Sequence, residues 1–205
     1  MNGTFQAIID AIKRQEHHHA ENLCWVALKK QPNSSELNKW LGVSLLQQKK
    51  YEGAITALRQ SLPDKKNDFD VINNIAFAYR HIEDYENAVL YLDKAELIKP
   101  NQYAVTMNRA HISFNLKNYE EAFQLTEKCF EFIKHEPKSE FVSHHNLMNL
   151  YVEIQLARNK INEAVDIMQK ILEEKFEAKV FYNLANADPS KIHERLKKKD
   201  DFIRS

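Results

Sequence analysis

Between residues 71 and 100 the chain reads VINNIAFAYRHIEDYENAVLYLDKAELIKP. Ile72, Ile75, Ala76 and Tyr79 recur at three- and four-residue intervals, which places them on one face of a helix. Glu83 and Asp84 interrupt the pattern. Tyr85, Ala88, Val89, Leu92 and Ala95 resume it, and Pro100 closes it. The pattern predicts two helices joined by a short polar turn. One such hairpin cannot bury its apolar face alone, so neighbouring hairpins must stack on it.

The same pattern returns along the chain. Ala20, Ala54, Ala88 and Ala122 are each 34 residues apart. Three residues before them stand His17, Tyr51, Tyr85 and Tyr119; twelve before stand Ile8, Gly42, Ala76 and Ala110. Seven residues after come Ala27, Ser61, Ala95 and Cys129. Small residues in fixed columns mark places where two helix backbones approach closely, and Tyr is expected over the hairpin turn. Ala164 continues the series 42 residues after Ala122, so about eight residues are inserted, absorbed by the segment 132–145. The predicted units are 1–34, 35–68, 69–102, 103–143 and 144–176. After them, Val180 to Ala185 repeats the opening of a first helix. Asp188 and Pro189 then start a charged helix suited to cap the array, so 177–205 is expected as C-terminal capping helices.

These columns resemble the tetratricopeptide repeat, a 34-residue helix–turn–helix. The third unit carries the likeness best, with Asn74, Ala76, Tyr79, Tyr85, Ala88, Leu92, Ala95 and Pro100. The resemblance covers roughly residues 1–175. It implies an all-α fold, an α-α superhelix or solenoid of about five hairpins and some twelve helices. In this family the first helices line a concave groove that holds a partner. The resemblance therefore points to Asn73, Asn74, Phe77, Arg80 and His81 in the third unit as partner-binding residues, and to Met107, Asn108, His111, Phe114 and Asn115 in the fourth. Lys39, Val43 and Leu46 are added from the second unit and Asn149, Glu153 and Leu156 from the fifth.

Two family patterns sharpen the groove. Asn74 and Asn108 are 34 residues apart, similar to the asparagine ladder of O-linked N-acetylglucosamine transferases. There each amide offers a donor and an acceptor to successive peptide units. Trp40 and Leu150 interrupt the series. The two-carboxylate clamp of chaperone-binding repeats needs five ligands; Lys39 and Asn74 match, while Val43, Ala104 and Asn108 stand at the other three positions. A carboxylate tail would lack most of its charge-assisted bonds there, so that function is set aside.

Composition narrows the rest. Only 3 Gly and 5 Pro among 205 residues leave too few turn residues for a β-sandwich or barrel, and no Gly-rich phosphate loop can be assembled. Lys+Arg and Asp+Glu are both 29, so the basic excess that nucleic-acid binding needs is missing. No apolar run is long enough to span a membrane, and the opening MNGTFQAIIDAIKRQEHHH does not read as a secretory leader. Cys24 and Cys129 sit in apolar helical patterns and are expected as buried free thiols in a reducing cytoplasm. The run His17-His18-His19 points in diverging directions along a helix, and no cluster completes a metal set; no cofactor is expected. Trp25 is expected to pack structurally, Trp40 to pack or to anchor a partner. No nucleophile or metalloprotease motif is present.

The sequence therefore reads as a non-enzymatic adaptor that binds a protein or peptide in the groove of a repeat array. One alternative is the substrate-recognition region of a bacterial glycosyltransferase or sulfotransferase. A third is a scaffold that self-associates, for instance as a homodimer through Phe5, Ile9 and Ile12.

Overall fold

In the computed structural model, which describes residues 2–62, 67–135 and 144–173, the described chain forms ten α-helices and no strand. They pair as α1 (Asn2–Lys13) with α2 (His17–Leu28), α3 (Ser35–Gln47) with α4 (Tyr51–Ser61), and α5 (Phe69–His81) with α6 (Tyr85–Ile98). Then follow α7 (Tyr103–Asn115) with α8 (Tyr119–His135), and α9 (His144–Ala157) with α10 (Ile161–Glu173). The first helices of the successive pairs begin at Asn2, Ser35, Phe69, Tyr103 and His144. The start of the insertion, 132–135, continues α8 as helix; residues 136–143 and the expected capping helices at 177–205 lie outside the described residues.

Every hairpin turns the same way. Gln15, Lys49, Glu83, Lys117 and Asn159 each adopt a left-handed backbone, with φ of 61°, 60°, 61°, 64° and 60°. The N–H of each bonds to the carbonyl three residues back, as Glu83 does to Arg80 at 3.2 Å. The N–H of the next residue reaches five back, as Asp84 does to Tyr79 at 3.0 Å. This is the double bond of a Schellman ending, which satisfies carbonyls that the first helix leaves open. Glycine usually fills that left-handed position. Here four of the five residues are Gln, Lys or Glu, which explains how a chain with 3 Gly turns five hairpins.

Local chemistry fixes helix starts. Ser34 caps α3 by accepting from the Leu37 N–H. Asp68 caps α5 through Val71, and Asp84 caps α6 through Asn87. Such caps contribute about 1 kcal/mol each.

The chain divides into two compact units, Met1–Asn108 and Arg109–Ser205. In the first, α2 packs on α3 and α4 on α5, so the hairpins stack in sequence. Ile8, Leu41, Leu58, Val71 and Ile75 are fully or almost fully buried in its core. Burial of each stabilises by about 1.5–3 kcal/mol. Phe5 and Ile12 pack partly buried against this core. The apolar side of α1 is thus partly taken up within its own unit, and Ile9 beside it is half-buried. Gly42 marks a close crossing of α3 and α4: a Cβ there would lie 2.5 Å from Leu58 Cγ.

Ion pairs pin successive hairpins. Glu21 on α2 pairs with Lys50 at 2.8 Å and accepts from Gln48 at 2.9 Å. The Lys50 bond is the largest of the influences that hold its carboxyl below the usual range. Lys39 on α3 pairs with Asp68 at 2.8 Å.

The second unit packs α8 on α9 and α9 on α10. Val152, Ala164, Val165 and Met168 form a buried cluster there. Tyr151 meets Phe123 and Phe130 at ring distances of 5.7 and 5.3 Å. Arg158 lies 3.9 Å over the Phe123 ring and pairs with Glu120 at 2.8 Å.

The alanine columns are as tight as the sequence implies: Ala20, Ala54, Ala88, Ala122 and Ala164 are all completely buried. Cys24 and Cys129 are buried free thiols, both pushed up to about 12 chiefly by burial. Trp25 departs from expectation. It is half exposed on α2, next to exposed Val26, because its position on the helix faces away from the core.

Candidate functional site

α5 carries a connected set of polar and aromatic side chains in the first unit. Its apolar face, Val71, Ile72, Ile75, Ala76 and Ala78, is buried. That face fixes the rotation of the helix, leaves Phe77 partly buried at the edge of the core, and turns Asn73, Arg80 and His81 toward the flank. Spacings of three and four residues align Asn73, Phe77 and Arg80–His81 along one stripe.

These side chains form one connected cluster. Arg80 Nε donates to Asn108 Oδ1 at 3.1 Å, and Asn108 Nδ2 donates to Asn73 Oδ1 at 3.3 Å. The guanidinium lies over the Phe77 ring, 5.0 Å from its centroid. Arg80 Nη2 lies 2.9 Å from His81 Nε2. Arg can only donate, so Nε2 accepts and the His81 proton sits on Nδ1. The His81 ring stacks on Tyr51 with centroids 4.7 Å apart and an interplanar angle of 4°, and tilts against Phe77 at 4.4 Å.

Burial shapes the electrostatics. Desolvation lowers Arg80 to about 10, against the opposing pull of Tyr51 and Tyr85; it remains a cation at neutral pH. Desolvation, then the charges of Arg80 and Lys49, lower His81 to about 4. The imidazole is therefore neutral at physiological pH and serves as a flat, polar-edged plate.

The expected site residues divide between the units. Asn73, Phe77, Arg80, His81 and Asn108 come together as described, all in the first unit. Asn74 is half-buried on α5, and no bond joins it to Asn108: the asparagine pair is Asn73 with Asn108. Met107 and Asn108 are 9% and 6% exposed, so both serve the interior of α7's contact more than its surface. His111, Phe114 and Asn115 belong to the second unit. There Phe114 meets Tyr119 at a ring distance of 5.8 Å, and Asn115 is exposed at the end of α7. Leu46 is buried in the core, and Lys39 is held by Asp68, which leaves the one clamp-like cation already paired. Trp40 is partly buried against the core of the first unit.

Tyr51 is the member that the sequence does not assign to the site. It starts α4, in the column read as packing over its own hairpin turn. Instead its ring stacks on the next hairpin's His81. A signal is present: Tyr51 ends the turn that faces the last turn of α5, where His81 and Phe77 stand one helical turn apart.

Among the described residues, no three His, Cys, Asp or Glu side chains gather as a metal would require. Nor is any helix there long and apolar enough to cross a membrane.

Comparison with known proteins bears on the fold. Residues 69–102 match the family model of the tetratricopeptide repeat. A tetratricopeptide repeat protein from Parabacteroides merdae ATCC 43184 superposes with a TM-score of 0.73 at 13% identity, over 94% of this chain and 73% of that one. TTC0263, a thermophilic protein of the same repeat class from Thermus thermophilus, gives 0.64 at 16% identity, over 98% of both chains. MamA from Desulfovibrio magneticus RS-1 gives 0.65 at 13% identity, over 84% of this chain and 93% of that one. No curated protein matches the sequence significantly.

Proposed function

This chain is a tetratricopeptide-repeat protein, and from that premise we propose that it is a non-enzymatic adaptor which binds a peptide or protein on the face of its first helices. The observation that carries the reading is the α5 cluster. Arg80 is stacked on Phe77 and bonded to Asn108, and His81 is stacked on Tyr51. These side chains are ordered before any partner arrives, so binding costs less entropy at the surface. Aromatic rings and arginine are also the residue types that dominate binding hot spots.

A catalytic role draws no support from the cluster. Its histidine is neutral, uses Nε2 to accept from a guanidinium, and has no nucleophile or carboxylate bonded to it among the described residues. The adaptor works in the cytoplasm on this reading, where the two free thiols stay reduced.

The test is affinity capture from the source cell with wild type and with Arg80→Ala/His81→Ala. These two side chains reach solvent, and circular dichroism verifies that the variant stays helical. Partners held by wild type and lost by the variant are the expected result. Equal retention by both proteins would remove the α5 face as the binding surface.

A further inference from the structure

Arg80 is a cation that lacks a counter-ion among the described residues. A guanidinium offers five N–H donors. One goes to Asn108 Oδ1 and one to His81 Nε2, both neutral groups. Among the described residues no Asp or Glu pairs with it, and its electrostatic neighbours are the phenols of Tyr51 and Tyr85. Three cations that bridge between helices are treated differently. Lys39 has Asp68, Lys50 has Glu21, and Arg158, stacked on Phe123 much as Arg80 is on Phe77, has Glu120. An unpaired, largely desolvated charge is costly to keep. It is retained here with part of its fork unclaimed, beside the exposed edge of His81.

We infer that the Arg80 guanidinium receives a carboxylate side chain from an acidic partner peptide, beside the Tyr51–His81 stack. The inference rests on the peptide-binding reading above and names the partner's chemistry. The three remaining N–H groups suit the planar two-oxygen geometry of a carboxylate. A single charge fits better than a phosphate, which carries nearly two and is met by clusters of arginines; here the adjacent His81 is neutral. Tyr51 from the preceding hairpin and Asn108 from the following helix flank the guanidinium within one unit. The site thus lies along the helix face, where a passing chain presents side chains rather than its end. None of the five clamp positions supplies this cation: they are Lys39, Val43, Asn74, Ala104 and Asn108.

The experiment is a titration of the full chain, labelled with nitrogen-15, in which the Arg80 Nε–H resonance is followed at low salt. The probes are an acetylated, amidated hexapeptide of alternating Glu and Ala, its Gln counterpart, its Lys counterpart, and the Gln peptide with a free C-terminal carboxylate. The Glu peptide is expected to move the Arg80 resonance and to bind about tenfold tighter than the Gln peptide, the gain of one charge-assisted pair. Arg80→Gln, checked by circular dichroism, is expected to erase that preference, and Arg80→Lys to keep part of it. Equal affinity for Glu and Gln peptides on wild type overturns the inference, and this needs no variant to fold. So does a Glu preference that survives Arg80→Gln. A gain confined to the free terminus would overturn the side-chain source. If the Gln or Lys peptide shifts first-helix resonances while the Glu peptide holds no advantage, this inference falls and the peptide-binding reading stands. If no probe shifts them, both fall.

Discussion

Gly42 shows how much a single hydrogen atom decides in this fold. Its column carries Ile8, Ala76 and Ala110 in other hairpins, so the position tolerates a side chain elsewhere. At the α3–α4 crossing it does not, because a Cβ would press on the fully buried Leu58 at 2.5 Å. Gly42→Ala is expected to lower stability by about 1–3 kcal/mol, the usual cost of overpacking; a urea melt measures it, and an unchanged midpoint would show that α4 shifts freely. His81 sets a second prediction at this scale. Its value falls from the ordinary 6.5 to about 4 on folding, so the unfolded chain binds more protons between those limits. The stability it supports is fully present above 6.5 and is lost as pH drops toward 4. His81→Phe keeps a ring on Tyr51 but cannot titrate. The fall in melting temperature between pH 7 and pH 5 is expected to be smaller in that variant than in wild type. The residue scale is also where the sequence is least legible. Equal spacing singles out Asn74 with Asn108, yet Asn108 bonds to Asn73. Side chains in the same column of stacked helices point the same way; the ones that touch come from neighbouring columns whose Cβ directions converge.

The helices themselves are almost wholly readable from the sequence, because the 3.6-residue pattern and the alanine columns state both period and contact. What holds each hairpin closed is not readable. The left-handed turn residues are Gln, Lys, Glu, Lys and Asn, and four of these are not residues that announce such a backbone. Their conformation follows from the pair of hydrogen bonds to the end of the preceding helix, which a residue of any of these types can close once its backbone reaches φ near +60°. It also predicts an easy improvement. Glu83 has φ of 61° and an exposed side chain. Replacement by Gly relieves the left-handed strain against a rise in unfolded-state entropy, and the net expectation is a gain of about 0.5–1 kcal/mol. Differential scanning calorimetry of Glu83→Gly would register it as a higher melting temperature; a decrease would show that the turn is not strained.

At the scale of the whole molecule, contacts within each unit run mainly between adjacent helices and hairpins, as in other linear arrays where stability is a sum of local terms. Such a chain need not open all at once. Nothing in the sequence marks the boundary between the units at residues 108 and 109, since it falls inside α7, a helix with an unbroken pattern. Each unit holds one completely buried thiol, Cys24 in the first and Cys129 in the second. With both groups raised to about 12, neither is nucleophilic while folded. Under native conditions each should react with a maleimide only when its own surroundings open, and the two modification rates are expected to differ. Mass spectrometry of the two tryptic peptides would read both rates in one sample. The molecule thus contains a pair of chemical stopwatches. A partner that docks beside Arg80 would slow the one at Cys24, and could be recognised in a mixture by that delay before anything else about it is known.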